Sequence, residues 1–330
     1  MKTVLITGVS GFVGFHVAHT LLERGDRVIG LDNMNTYYDI TLKEQRLAIL
    51  REKEAFSFIL GSIEDRSHIC DIIEKGNFDA VIHLAAQAGV RYSLTHPQEY
   101  ISSNLVGFFN VIDACKEHGI PHFLYASSSS VYGANEEMPF SENDKVDRPI
   151  SLYAATKKSN ELIAYSYSHL YQLKTTGFRF FSVYGPYGRP DMAPLKFTKN
   201  IYENKPIQVF NYGDMQRDFT YIDDIVKGIL VLLERSASLT GCDVPYQIYN
   251  IGNSQPVNLM DFIQALEKAI GKKAIIEFLP MQPGDVKATY ADISKIKTDG
   301  GFEPTTSLQE GVDKFVAWYI ESIRGNSTRP

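Results

Sequence analysis

"TVLITGVSGFVG", Thr3 to Gly14, joins a five-residue apolar run to three glycines, Gly8, Gly11 and Gly14, at GxxGxxG spacing. An amphipathic stretch, "VAHTLLERG", follows at once. Alone, such a glycine pattern is an ordinary turn. Between an opening strand and a helix it predicts a dinucleotide site. The glycines permit a tight turn and close backbone approach, and the helix start offers its positive end to a pyrophosphate. The next strand-like run, "RVIGLDN", puts Asp32 where a carboxylate can accept hydrogen bonds from a ribose 2′-hydroxyl. A 2′-phosphate would be repelled there, so the expected cofactor is NAD rather than NADP.

Outward from this unit the rhythm repeats. "FSFIL", "AVIHLA" and "HFLYAS" are short and apolar, and "LKEQRLAILREKE" and "NLVGFFNVIDACKEHG" between them are longer and amphipathic. Continuous apolar strands separated by helices predict an α/β fold with a doubly wound, Rossmann-like parallel sheet. After Phe180 the pattern loosens into shorter elements with more Pro and Gly. This predicts a smaller C-terminal α/β substrate domain. The expected division gives residues 1–180 to NAD, with 220–251 returning to that domain because "IDDIVKGILVLLERS" is long and apolar enough to pack on the sheet. Residues 181–219 and 252–330 form the second domain, and the tail "RGNSTRP" is expected to fray.

Composition narrows the function. A chain of 330 residues, 44% hydrophobic, can bury a large core. A formal charge of −6 supplies no broad basic surface for nucleic acid. Cys70, Cys115 and Cys242 are scattered, without CxxC spacing, which suggests neither a disulfide framework nor a zinc site. No HExxH occurs among the eight histidines, and His16 and His19 fall on the first helix. No metal is therefore expected. "MKTVLITG" reaches its glycine turn too soon for a secretory signal, and no apolar run is long enough to span a bilayer, so the expected setting is cytoplasmic.

The chemistry is carried further along. "YASSSSVYG", Tyr125 to Gly133, continues an apolar strand toward the sheet edge where doubly wound folds bind ligands. Then "SLYAATKKS" sets Tyr153 and Lys157 four residues apart, on one helix face. YxxxK alone is a common solvated pair. Behind a serine strand and a dinucleotide turn, the ammonium is expected to favour the phenolate, while a serine hydroxyl aligns a substrate alcohol.

These motifs resemble the extended short-chain dehydrogenase/reductase family over nearly the whole chain. Within it, "LDNMNTYYD", "HLAAQAGVRYS", "FRFFSVYGPYGRPDMA", "RDFTYIDDIV" and "MQPGDVKATYAD" are similar to the epimerases that act at C4 of UDP-glucuronate. The resemblance implies Tyr153, Lys157 and Ser128 as the catalytic set, Ser128 lying four before the tyrosine of "VYG". It implies cofactor contacts from Gly8, Gly11, Phe12, Val13, Gly14, Asp32, Asn33, Ser62, Ile63, Leu84, Ala85, Ala86, Gln87 and Asn104, as well as Tyr153 and Lys157. Ser62 replaces an aspartate that many relatives direct at the adenine.

For the substrate the resemblance implies Arg217 on the UDP diphosphate, Asp285 on the nucleotide ribose, and Arg189 near the hexuronate carboxylate. Ser182, Arg91, Ser127, Ser129 and Gln282 are further candidates. A guanidinium suits such work because it meets carboxylate or phosphate with two parallel hydrogen bonds.

The implied reaction converts UDP-glucuronate to UDP-galacturonate through a 4-keto sugar, with hydride returned to the opposite face. Epimerisation of a neutral UDP-hexose such as UDP-glucose or UDP-GlcNAc is the mildest rival. Related dehydratases carry an Asp-Glu pair, and related decarboxylases often a glutamate, where this chain has Ser129 and Ser130, so the resemblance weighs against decarboxylation and 4,6-dehydration. A non-catalytic NAD-binding regulator would tend to lose Tyr153 or Lys157, and both are present. The helices "NLVGFFNVIDACKEHG" and "YAATKKSNELIAYSYSHLY", with the resemblance, imply a homodimer.

Overall fold

The computed structural model describes residues 1–282 and 284–327, with side chains as far as Ile323. Twelve strands are present among them: β1 Thr3–Thr7, β2 Arg27–Asp32, β3 Phe56–Leu60, β4 Ala80–His83, β5 Phe123–Ala126, β6 Thr175–Phe180, β7 Ser182–Tyr184, β8 Pro206–Val209, β9 Gln216–Tyr221, β10 Tyr246–Ile251, β11 Pro256–Asn258 and β12 Ile275–Phe278. Seven form one parallel sheet in the order β10-β6-β5-β4-β1-β2-β3. This is the expected doubly wound α/β arrangement.

The reason is visible in β1. Val4, Leu5 and Ile6 are fully buried, so neither face of the strand meets water. Val4 and Ile6 pack with the helices Phe12–Glu23, Thr41–Arg51 and Ile222–Leu233. Leu5 points the other way, into the cluster shared with the helices Arg66–Gly76, Phe108–Glu117 and Leu152–Tyr171. Each such apolar side chain contributes about 1.5–3 kcal/mol through burial. Continuous apolar strands therefore require helices on both sides.

β1 lies between β2 and β4, where the winding direction reverses. In such sheets the crevice beyond the strand ends at that point receives ligands. β4 stops at His83, so Leu84 and Ala85 of "AVIHLA" belong to the crevice loop rather than to the strand. The helix expected from Asn104 opens instead as a π-helix, Ile101–Gly107, before continuing as the α-helix Phe108–Glu117.

Beyond β6 the chain builds a smaller layer. β11, β9 and β7 form a three-stranded sheet, and β12 pairs with β8. The helix Ile222–Leu233 does pack back, burying Ile222, Ile225, Val226, Ile229, Leu232 and Leu233, and β10 then joins the large sheet beside β6. The last helix is Leu308–Ser327, so the backbone stays ordered into the tail read as frayed. The final three residues of that tail lie outside the described residues.

Candidate active site

At the glycine turn Gly8 adopts φ +75°, donates its N–H to Leu31 O at 2.7 Å, and approaches the crevice loop closely. A Cβ there would stand 2.7 Å from the Ala85 nitrogen, and a Cβ on Gly14 would stand 2.2 Å from Gly8 O. Only glycine fits either place. Gly11 caps the helix Phe12–Glu23, which has no side-chain cap and no acidic residue in its first turn. The leading N–H groups at Phe12, Val13 and Gly14 are thus left for an anion.

Asp32 ends β2 beside this turn. Its carboxylate accepts from the N–H of Ser10 at 3.0 Å and of Met34 at 2.9 Å, fixing its orientation. Asn33, next along, is exposed and accepts from the Asn35 N–H at 3.1 Å. Ser62 Oγ accepts from the Glu64 N–H at 3.2 Å, while Ile63 is buried and its carbonyl accepts from Asn110 at 3.0 Å.

The loop Leu84, Ala85, Ala86, Gln87 is tied down at both ends. Leu84 N–H donates to Thr7 O at 3.1 Å, and Gln87 N–H donates to Asn104 Oδ1 at 2.8 Å. Asn104 Nδ2 in turn donates to Gln87 O at 3.0 Å and Thr156 Oγ1 at 3.1 Å. Asn104 therefore braces the loop, and its Oδ1, accepting one bond, keeps a second lone pair. The buried Gln87 amide lies near the Tyr100 hydroxyl. Together these groups fit a dinucleotide with a free ribose 2′-hydroxyl.

Tyr153 and Lys157 stand on the helix Leu152–Tyr171, whose start is capped by Ser151 Oγ accepting from the Ala154 N–H at 3.1 Å. The Tyr153 hydroxyl lies near the Ser128 hydroxyl. Burial raises its pKa, and the nearby Ser128 hydroxyl and Arg189 charge pull in the opposite direction without reversing the rise. The Lys157 ammonium is anchored on Ala126 O at 2.8 Å, at the end of β5, and burial brings its own pKa down to about 8.

The four serines separate by role. Ser128 Oγ accepts from the Ser130 N–H at 3.1 Å and caps the short 3-10 turn Ser129–Tyr132, placing Ser129 half-buried at its start. Ser127, expected on the substrate, faces elsewhere. Its hydroxyl donates to Glu161 at 2.7 Å, within a buried network. In that network Glu161 pairs with Arg179 through bonds of 2.8 and 2.9 Å, and Arg179 also donates to Tyr132 Oη at 3.0 Å.

Arg189, on the loop after β7, the strand that Ser182 opens, lies near enough to Tyr153 for their charges to be felt. It already meets a carboxylate, donating to Asp191 from Nε at 3.0 Å and from Nη2 at 2.5 Å. Tyr37 Oη donates to the same carboxylate at 3.0 Å. Tyr100 completes this wall, edge-on to Tyr153 with ring centroids 6.1 Å apart and its hydroxyl donating to Gly89 O at 2.5 Å. Tyr37, Tyr100, Asp191, Glu161 and Arg46 were all missed from sequence. The first three belong to "NTYYD", "EYISS" and "GRPDM", stretches with no spacing that signals chemistry.

The remaining substrate candidates form a second group on the smaller layer. Arg217 on β9 donates to the carbonyls of Gln216 at 2.8 Å, Val286 at 2.7 Å and Lys287 at 3.1 Å. Asp285 beside them pairs with Arg91, from the crevice loop, at 2.9 Å. Gln282 Oε1 is buried and without a partner among the described residues. Arg91 thus links this group to the cofactor side. One trio among the described residues, Cys70, Glu117 and His118, could gather round a metal. Arg66 holds that Glu117 at 3.0 Å, and burial raises the Cys70 pKa.

The family described as "NAD dependent epimerase/dehydratase family" matches residues 4–252. Protein CapI of Staphylococcus aureus is 50% identical, over 96% of this chain and 98% of its own. UDP-glucuronate 4-epimerase 1 of Arabidopsis thaliana is 48% identical, over 99% of this chain and 78% of its own. The crystal structure of UDP-glucuronic acid 4-epimerase from Bacillus cereus, in complex with UDP-glucuronic acid and NAD, superposes with a TM-score of 0.90 at 34% identity. It covers 97% of this chain and 99% of that one.

Proposed function

Because the chain belongs to the NAD dependent epimerase/dehydratase family, we propose that it inverts C4 of UDP-glucuronate to give UDP-galacturonate. The observation that carries this reading is the placing of the Ser128 hydroxyl and the Arg189 guanidinium close to the Tyr153 hydroxyl. A proton-transfer pair and a carboxylate-binding group converge on one place.

NAD, when bound, supplies the hydride acceptor and donor. Tyr153 takes the proton from the C4 hydroxyl, with Ser128 holding that hydroxyl in line. The buried Lys157 charge, on the same helix, favours ionisation of the tyrosine once the site is closed from water. Tyr153 returns the proton after the sugar has turned. A 4-keto uronate is a β-keto acid and loses carbon dioxide readily, so its carboxylate has to be held still. Arg189 is assigned to that task. A guanidinium has five N–H donors and Asp191 engages two, which leaves three for the sugar.

Arg217, Asp285 and Gln282 are assigned to the UDP moiety, with Arg91, Ser129 and Ser182 around the sugar. This divides the chain as its elements suggest, with 1–180 and 220–251 serving NAD and 181–219 and 252–330 serving the nucleotide sugar. The test is incubation of purified protein with UDP-glucuronate and no added NAD, products being resolved chromatographically. A second UDP-uronic acid approaching a constant ratio, without net NADH, is the expected result. A UDP-pentose with carbon dioxide would refute the assignment of Arg189, and turnover of UDP-glucose alone would move the substrate to the neutral hexoses.

A homodimer accompanies this proposal. Val106 and Phe109 on one helical segment and Leu162, Tyr165, Leu170 and Tyr171 on Leu152–Tyr171 are large, apolar and exposed. Adjoining apolar faces of this kind mark a partner surface. Light scattering after gel filtration should give twice the chain mass for the wild type and a single chain mass for Leu162→Asp. One mass for both would end the idea. A cytoplasmic location suits the three free cysteines, and cell fractionation reads it directly.

A further inference from the structure

Arg46 is the largest fully buried side chain among the described residues. A buried guanidinium ordinarily has a carboxylate, since an unpaired charge away from water is costly. Arg46 has none among the described residues. Its Nη1 donates to Ser10 O at 2.7 Å and to Tyr38 Oη at 2.9 Å, and its Nη2 donates to Tyr187 O at 2.6 Å. Its Nε has no partner among the described residues, nor has the buried Ser10 hydroxyl beside it. Asp32 is near enough to be felt but makes no hydrogen bond to it.

The three acceptors are informative. Ser10 lies inside the glycine turn, and Tyr187 lies two residues before Arg189. Tyr187 also holds φ +57°, a conformation a bulky residue adopts only when its surroundings enforce it. The enforcement comes from the cofactor half, because the His16 ring is hydrogen-bonded to the preceding carbonyl, Pro186 O, at 2.9 Å. One unpaired cation therefore touches the diphosphate turn with one nitrogen and the Arg189 loop with another.

We propose that Arg46 is a positioning residue that couples the two halves of the site, its charge awaiting the diphosphate of NAD at the glycine turn and its second nitrogen fixing the loop that presents Arg189. The proposal rests on the reading of the turn as the NAD site and of Arg189 as the sugar-carboxylate group. It predicts that cofactor binding and substrate affinity change together when Arg46 changes.

The experiment compares wild type, Arg46→Met and Arg46→Lys. It records NAD retained after gel filtration, melting temperature with and without added NAD, and KM separately from kcat for UDP-glucuronate. Arg46→Met should melt near the wild type without NAD, lose most of its NAD-induced rise in melting temperature, and bind NAD about tenfold or more weakly. Arg46→Lys keeps the charge and loses the fork, so it should retain NAD and show a raised KM with little change in kcat. The reverse pattern overturns the proposal: a lower melting temperature without NAD and an undiminished NAD-induced rise mean a structural brace only. If Arg46→Met does not fold, wild-type NAD affinity together with wild-type KM in Arg46→Lys is equally decisive against it. A wild type that gains nothing from NAD would instead remove the cofactor reading on which the proposal stands.

Discussion

Tyr153→Phe should reduce turnover by about 10²–10⁴-fold, the range that positioned proton transfer supplies, while NAD content and melting temperature stay near wild type. The change removes one oxygen and nothing else. The ring remains packed against Tyr100, and Ser128 keeps its bond to the Ser130 N–H. Loss of one buried hydrogen bond of this kind costs about 1 kcal/mol of stability, which is small for a domain of this size. The measurement is initial rate with UDP-glucuronate beside NAD released on denaturation and a thermal melt. A variant that keeps its NAD and its rate would mean that Tyr153 is not the proton carrier. A protein that only senses NAD would show no loss.

The second large effect concerns the fold beneath the site. Glu161→Gln should destabilise the protein by about 3–5 kcal/mol, because it leaves Arg179 buried without its counter-ion. The two side chains are only 2% and 3% exposed. Their network joins Ser127 just after β5, the helix Leu152–Tyr171, Arg179 on β6 and, through Tyr132 Oη donating to Asn250 at 2.7 Å, strand β10. Burial pushes the Glu161 pKa up, but Arg179, Ser127 and Lys158 outweigh it and leave the carboxyl below its usual 4.5.

The sign follows from linkage. A depressed folded pKa means that the unfolded chain takes up the proton first, so this stabilisation is present above about pH 4.5 and is lost as pH falls through the lower folded value. The gap in urea midpoint between wild type and Glu161→Gln should thus be wide at pH 7 and narrower near pH 4. The double variant Glu161→Leu with Arg179→Met should recover most of the loss, since apolar replacement of a whole buried pair is often neutral. A single variant within 0.5 kcal/mol of wild type would show that the pair contributes nothing net.

What could be read from sequence was what repeats locally. The strands, the glycine turn and Asp32 follow from apolar runs and from spacings of three to six residues. Ser128, chosen over its neighbours from the resemblance, is the serine of the four that lies near Tyr153. Contacts that depend on which way a strand faces were not legible. Ser127 and Ser128 are adjacent, so the pleat sends one to Glu161 and the other to the tyrosine. Lys157 shares a face with Tyr153 as predicted, but its partner is a carbonyl 31 residues earlier.

Arg46 left a faint trace. Lys43, Leu47 and Leu50 repeat at helical spacing on a buried face, and Arg46 falls on that same face where an apolar residue would be ordinary. A charge at a core position is the signal that might have drawn notice. Its acceptor at Tyr187 is 141 residues away, and no local pattern reports that. The π-helical turn that aims Asn104 at Gln87 has no compositional mark either.

The order in which the chain is made gives the large sheet a further property. Its glycine turn is complete within the first fourteen residues, yet its edge strand β10 ends at Ile251. During synthesis from the N-terminus, the first six strands of this sheet and the helix Leu152–Tyr171 emerge while β6 still has an open edge on that side. The hydroxyl of Tyr132 meets Asn250 only when the chain has grown by another 118 residues, and the main chain of β6 waits likewise for β10. The sheet is begun early and closed late, and everything between β6 and β10 must be threaded out before the edge is sealed.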